Sequence, residues 1–306
     1  MSASQSVLAV APVAILIAFG HLLARVRFVA EPGWAAMERL LYFVCFPALL
    51  FVELAKADFT GQPVLSFGGT VLAAQLAVAA IVWRLRRPLR MPGPSYTSVM
   101  QCVVRWNSYV ALAMAPMLFG RQAAPLAALA VAIMVPVANL VSVAALARHG
   151  SGGAPGLLPT LKALSSNPLI LACIAGILVH VAGTGLPVLV AEPLSVLGRA
   201  TLALGLLAVG AALRPAAMLT RPMWMVVAAG CKLLAKPLLA LAIGLAAGLD
   251  RTALGVAVLV CAVPTSTTSY ILARLLGGDA ELMTGLITTT TIMAVLTMPL
   301  VLAMVR

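Results

Sequence analysis

Two short polar stretches interrupt an otherwise strongly apolar chain: Arg105-Trp106-Asn107-Ser108-Tyr109 and Pro264-Thr265-Ser266-Thr267-Thr268-Ser269-Tyr270. Each stretch lies inside the fourth hydrophobic segment of one half of the chain. A break in a helix at membrane depth frees backbone N–H and C=O groups that lipid cannot satisfy, so it is stable only where protein covers it or where it lines a cavity. The two stretches therefore decide how the fold is organised around its interior.

The composition excludes a soluble protein. Of the 306 residues, 63% are hydrophobic and 9% are charged, and the mean hydropathy is +1.11. An ordinary soluble domain carries roughly 25% charged residues. The relevant structural unit is therefore a lipid-crossing span of ~20 apolar residues.

Ten spans are predicted from the apolar segments and from the Arg, Gly and Pro clusters that separate them. They cover residues 5–24, 34–53, 64–83, 96–119, 123–147, 167–183, 193–213, 222–247, 252–276 and 281–304.

The basic residues predict the orientation of these spans. Residues 1–6 contain no Lys or Arg, which argues against a secretory signal peptide and places the amino end outside. Twelve basic residues then fall in inside loops: Arg25, Arg27, Arg39, Arg84, Arg86, Arg87, Arg90, Arg148, Lys162, Arg214, Arg221 and Arg274. Five fall outside: Lys56, Arg121, Arg199, Arg251 and Arg306. The positive-inside rule thus favours both termini outside the cytoplasmic membrane.

The net charge of +12 is likewise attributed to basic loop residues that orient the spans and attract anionic lipid. A nucleic-acid-binding protein would carry its basic residues on a solvated face, and this composition provides none. Nucleic acid is therefore not among the expected partners.

The halves 1–150 and 151–306 each contain five spans, and an odd number of spans makes the two halves run in opposite senses through the membrane. A shift of 161 residues places Ser108 on Ser269, Tyr109 on Tyr270 and Val110 on Ile271. The prediction is two inverted five-helix repeats. Paired breaks at matching positions of such repeats are typical of a transporter's substrate site.

Six stretches carry a resemblance to a known family through their order along the chain: residues 41–51 (LYFVCFPALLF), 105–107 (RWN), 167–170 (NPLI), 206–213 (LLAVGAAL), 236–238 (KPL) and 263–265 (VPT) with Ala273-Arg274. In these stretches the chain resembles the auxin efflux carrier family, which includes plant auxin exporters and bacterial carriers of malonate and related organic acids. One departure is the proline of the first broken span, which comes only at Pro116 instead of soon after Asn107.

The resemblance implies an all-α membrane protein of the bile acid/sodium symporter type, with ten helices in two inverted repeats. It also implies that spans four and nine are broken and cross near the middle of the bilayer. The expected activity is transport of a small organic anion such as malonate or malate by alternating access.

The amino ends of half-helices carry roughly +0.5 elementary charge and bind anions. The predicted substrate-binding residues are Arg105, Asn107, Ser108, Tyr109, Pro264, Thr265, Ser266, Thr267, Thr268 and Pro47. Alternatives stay open for two of these groups. Arg105 also fits an entrance charge or a residue that extends to the membrane surface, and the Thr/Ser run also fits hydroxyls bonded within their own helix.

Other polar residues are given simpler roles. Lys232 and Lys236 share one helix face and are predicted to extend toward the membrane surface or to contact lipid, with attraction of anions toward the cavity as the alternative. The run Thr288-Thr289-Thr290-Thr291 is predicted to serve helix packing, and His21 and His180 are not assigned to proton transfer. All eight acidic residues map to loops or span ends, so we favour transport of the anion without a coupling ion.

No enzymatic activity, cofactor or metal is predicted. The chain lacks a His-Glu-x-x-His helix, a Gly-x-Ser-x-Gly turn and a Cys-x-x-Cys pair, and its three histidines are not at metal-ligand spacing. The expected partners are a small organic anion, membrane lipid and a second copy of the chain in a homodimer. The alternatives are a drug/metabolite exporter of another superfamily and a membrane receptor or scaffold that transports nothing.

Overall fold

The computed structural model of the chain describes residues 3–151 and 165–305, with the side chains of the first helix described from Val10 onward. The predicted charges of Lys162 and Arg306 lie outside this part. The described residues fold into fourteen α-helices: α1 (Ala3–Arg25), α2 (Glu31–Leu40), α3 (Phe46–Ala55), α4 (Val64–Leu85), α5 (Gly93–Val104), α6 (Ser108–Phe119), α7 (Ala123–His149), α8 (Pro168–Ala182), α9 (Val188–Ala211), α10 (Pro222–Gly230), α11 (Lys236–Ala246), α12 (Arg251–Ala262), α13 (Thr268–Leu275) and α14 (Ala280–Leu302).

The chain is an all-helical, multi-pass membrane protein. Seven helices or continuous helix pairs of the described part are long and apolar enough to cross a bilayer, and three shorter apolar helices accompany them. These segments coincide with the apolar stretches of the sequence to within a few residues. The largest difference is at α9, which begins at Val188 and contains Pro193, so Arg199 lies inside a helix and not in an outer loop.

Two helices widen locally into π-helical turns. The first turn, Leu41–Cys45, joins α2 to α3, and the second, Cys231–Ala235, joins α10 to α11. Each is followed at once by a proline, Pro47 or Pro237, at the second position of the next helix. Because proline has no N–H and its ring collides with the carbonyl four residues earlier, the turn before it opens. The path of the second span therefore changes immediately before Pro47.

The helices pack in two groups. Helices α1, α3, α8 and α9 pack mainly on one another and form the smaller group. The larger group is built around α12, of which Ala253 to Ala262 are all buried. A helix that is apolar and buried on every side belongs at the centre of a bundle.

Two glycines bring α1 and α9 into close contact within the smaller group. A Cβ atom at Gly20 would overlap the backbone carbonyl of Leu207, and one at Gly210 would overlap that of Ile17. Small residues at crossing points let two helix backbones approach closely in a membrane. The contact makes α1 and α9 one unit.

Candidate functional site

The first polar stretch interrupts a helix at Arg105–Asn107. Helix α5 ends at Val104, Arg105 is extended with ψ 140°, and α6 begins at Ser108. Asn107 is the N-cap of α6, since its side-chain oxygen accepts from the backbone N–H of Val110 at 3.3 Å. An N-cap asparagine satisfies one of the free N–H groups at a helix start, which is why the chain restarts as a helix there.

The second polar stretch interrupts a helix between α12 and α13. Val263 is extended, with ψ 152°, immediately before Pro264. The ring of a proline disfavours helical geometry at the residue before it, so the end of α12 follows from the sequence. The chain resumes a helical course only at Thr268.

The two interruptions lie directly against each other. The backbone N–H of Asn107 donates to the carbonyl of Pro264 at 2.8 Å. The hydroxyl of Thr265 donates to the carbonyl of Cys102 at 2.9 Å, and the N–H of Thr265 donates to the hydroxyl of Thr290 at 3.2 Å. Each break thus satisfies backbone groups of the other, as buried backbone at membrane depth requires.

Arg105 connects three elements at this point. Its guanidinium donates to the side-chain oxygen of Asn139 on α7 and, at 2.9 Å, to the hydroxyl of Thr268 at the start of α13. Its Nε atom is buried without a hydrogen-bond partner among the described residues. Arg105 also makes no ion pair within the described part of the chain, where the two recorded pairs join Arg214 to Glu31 and Arg221 to Asp279. The guanidinium therefore keeps its positive charge free for a ligand.

A cavity of about 680 Å³ lies between the two helix groups, next to both interruptions. The larger group contributes Arg105–Tyr109, part of α7 and residues 266–276. The other wall comes from α3, α8 and α9 of the smaller group, together with α2 and the π-helical turn that joins α2 to α3. Polar atoms in the cavity wall come from Arg105, Asn107, Asn139, Asn167 and Thr268. Apolar surface comes from aromatic rings such as those of Tyr42 and Trp106. A mainly apolar pocket with a few convergent polar groups is typical of a small-molecule site.

The cavity lining reaches the end regions of several helices. Its residues include Ala35 in the first half of α2, Val143 in the last two turns of α7, Asn167 before α8 and Leu276 after α13. If successive spans alternate in direction, all four helix ends lie on the same side of the membrane. That side also holds most of the basic loop residues.

The structure places seven of the ten predicted site residues in the cavity wall: Arg105, Asn107, Ser108, Tyr109, Ser266, Thr267 and Thr268. Pro264 and Thr265 lie behind this wall and join the two interruptions. Pro47 is not a lining residue either, although its neighbour Phe46 is. Pro264, Thr265 and Pro47 therefore affect the cavity only through the backbone path that they impose.

Sequence reasoning missed five polar lining residues: Glu38, Arg39, Tyr42, Asn139 and Asn167. Asn167 and Tyr42 both lie in stretches that carry the family resemblance, and that was a usable signal. Asn139 is a lone amide in a long apolar helix. A polar side chain at such a position is costly unless it faces the interior, and the same argument would have marked it as a candidate.

The prediction for Lys232 and Lys236 is wrong. Both side chains are fully buried, with relative exposures of 0%, so neither contacts lipid nor extends to the membrane surface. The prediction for the threonine run agrees better with the structure. Thr290 and Thr291 donate to carbonyls of their own helix, and Thr290 also receives the N–H of Thr265.

These features define a class of protein, a multi-pass membrane protein with an interior small-molecule cavity between two helix groups. The profile of a family described as membrane transport protein matches residues 156–302. This match over the second half of the chain supports membership of the auxin efflux carrier family of membrane transport proteins. No curated protein matches the chain significantly. The family is one of transporters and not of enzymes.

Proposed function

We propose that this protein is a secondary transporter that moves small organic anions, carboxylates such as malonate or malate, across the cytoplasmic membrane by alternating access. The observation that carries the proposal is the position of Arg105. Its guanidinium lines the cavity beside the first residues of α6 and α13, and no carboxylate neutralises it within the described part of the chain.

The electrostatics of the cavity support an anion. The amino ends of α6 and α13 meet at its wall, and each helix start carries unpaired N–H groups and partial positive charge. Arginine adds a planar set of donors that matches the two oxygens of a carboxylate. A substrate carboxylate placed beside Arg105 is therefore favoured by three positive sources at once.

We further propose that residues 1–150 and 151–306 form two inverted five-helix repeats that cross at spans four and nine, with both termini outside the cell. The helices after the two breaks support the repeat. They begin at Ser108 and Thr268, within one residue of each other after the shift of 161. The cavity then opens to the cytoplasm, which makes this an inward-facing state.

Alternating access fits the packing of the helices. The cavity lies between the smaller and the larger helix group, so a rocking movement of one group against the other closes it on one side and opens it on the other. The interruptions and Arg105 belong to the larger group and move with it. The movement thereby exposes the crossover site to each side of the membrane in turn.

The experiment is a ligand screen on the purified protein, followed by uptake into liposomes. A carboxylate that binds the folded state raises the midpoint of thermal unfolding by mass action. We expect a shift with one or more members of a panel of mono- and dicarboxylates that includes malonate and malate, and no shift with their uncharged amides. The carboxylate that gives the shift is then expected to accumulate in liposomes that contain the protein.

Three results would contradict the proposal. Equal shifts with the carboxylates and their amides would remove the role of the anionic group. Binding without any uptake of the bound compound would favour a receptor or scaffold instead. Uptake of neutral or cationic compounds alone would favour a drug/metabolite exporter.

A further inference from the structure

Two lysines are buried in the larger helix group without a carboxylate partner. Lys232 lies in the π-helical turn between α10 and α11, and Lys236 is the first residue of α11. Both have relative exposures of 0%, and neither forms an ion pair within the described residues. A charged side chain in the middle of a membrane protein is expensive, so this pair needs an explanation that the proposed anion site does not give.

A hydrogen bond made by Lys236 supplies an explanation for its burial. Its ammonium group donates to the backbone carbonyl of Val103 at 3.2 Å. Val103 lies in the last turn of α5, immediately before the first interruption. The last carbonyls of a helix have no partner within it and carry partial negative charge. Lys236 therefore places a positive charge on the negative end of the broken helix.

The neighbouring carbonyls of this helix end are also satisfied by the protein. The N–H of Arg105 donates to the carbonyl of Gln101 at 2.9 Å, and the hydroxyl of Thr265 donates to that of Cys102 at 2.9 Å. In transporters with broken helices, free carbonyls at half-helix ends are the groups that hold coupling Na⁺ or H⁺. Here the carbonyls of residues 101–103 are occupied by a backbone amide, a hydroxyl and an ammonium.

We propose that Lys236 is a built-in cation, which occupies the position at the end of α5 where a coupling Na⁺ would otherwise bind. The inference rests on the proposed function and deepens it. It predicts that the carrier moves its anion without Na⁺, because the positive charge at the crossing of the broken helices is covalently attached. Lys236 is a positioning residue: it holds the end of α5, from which Arg105 extends into the cavity.

The test compares Lys236→Ala with two matched variants. Lys232→Ala removes the same charge one turn away without touching the Val103 carbonyl, and Lys56→Ala removes an exposed lysine. Thermal unfolding of each protein is measured in NaCl, propylammonium chloride and choline chloride at one ionic strength. We expect the midpoint of Lys236→Ala alone to fall in choline and to recover in Na⁺ or propylammonium, whose cations fit the vacated site.

Uptake of malonate or malate into liposomes gives the second readout. We expect the unmodified protein to transport equally in Na⁺ and choline, and Lys236→Met, which keeps most of the side-chain volume, to lose about ten- to a hundredfold of its rate, as loss of a hydrogen bond to a charged group does. Na⁺-dependent uptake by the unmodified protein would overturn the inference.

The inference also fails if Lys236→Ala does not respond to Na⁺ or propylammonium, or if Lys232→Ala responds in the same way. The thermal measurement does not require transport. Cation rescue of Lys236→Ala in a protein that moves no anion would therefore disprove the proposed function and leave the built-in cation in place.

Discussion

At the scale of single residues, Arg105 shows how a charge can be retained inside a membrane protein. Its donors are shared among a side chain of α7, a side chain at the start of α13 and the cavity. Two neutral oxygens fix the position of the guanidinium but leave its charge uncompensated. The carboxylate ligand that we propose would supply the missing negative charge, so its binding would stabilise the site.

We expect Arg105→Lys to bind the carboxylate about ten- to a hundredfold more weakly than the unmodified protein. Lysine keeps the charge but loses the two-point geometry, and a hydrogen bond to a charged group contributes ~1.5–3 kcal/mol. Titration of the thermal shift with ligand concentration measures the difference. Arg251→Gln, at the exposed first position of α12, is the control and should bind normally. Equal affinities of Arg105→Lys and Arg251→Gln would remove Arg105 from the site.

Asn107 and Thr265 were both predicted from the sequence to bind substrate, and the structure gives them different positions: Asn107 lines the cavity and Thr265 does not. Asn107→Ala should weaken ligand binding and lower the free energy of unfolding by ~0.5–2 kcal/mol, because Asn107 both lines the cavity and caps α6. Thr265→Ala should chiefly destabilise, by ~1–3 kcal/mol, because it leaves the buried Cys102 carbonyl without its donor. Denaturation in detergent and ligand titration distinguish the two effects. A larger loss of affinity in Thr265→Ala than in Asn107→Ala would contradict this assignment.

At the scale of helices, the sequence predicted where the membrane helices lie and approximately how long they are. A run of ~20 apolar residues has few alternatives to a membrane helix. It also predicted both interruptions, since Pro264 and the polar run at Asn107 act on the local backbone. The π-helical turns and the approach of Asn139 to Arg105 were not predicted. They depend on which faces of distant helices meet, and the sequence of a uniformly apolar helix does not specify a face.

The contact between α1 and α9 is open to a direct test at the helix scale. Gly210→Ala should lower the midpoint of thermal unfolding, because the added methyl group overlaps the backbone carbonyl of Ile17, which cannot move without the whole of α1. Gly69→Ala, on the exposed face of α4 with nothing within 4 Å of the added Cβ, is the matched control. It should be neutral or stabilising by up to ~1 kcal/mol, since alanine favours helices. If both variants unfold at the same temperature, the close crossing of α1 and α9 is absent in the membrane.

At the scale of the whole molecule, the position of the cavity between two helix groups determines what can be measured about transport. Ser266 lies in the second interruption, lines the cavity and is partly exposed. The five native cysteines are all buried, so they leave little background for labelling from water. We expect Ser266→Cys to react with a membrane-impermeant maleimide in inside-out vesicles and to react slowly in right-side-out vesicles, because in the proposed inward-facing state the cavity opens toward the side of the basic loops. A bound carboxylate should protect the thiol from labelling.

As a control, a cysteine in place of Thr60, in the exposed loop between α3 and α4, should show the opposite preference, since that loop is assigned to the outside. Labelling of Ser266→Cys from the same side as Thr60→Cys would contradict the inward-facing state and, with it, the orientation derived from the charges.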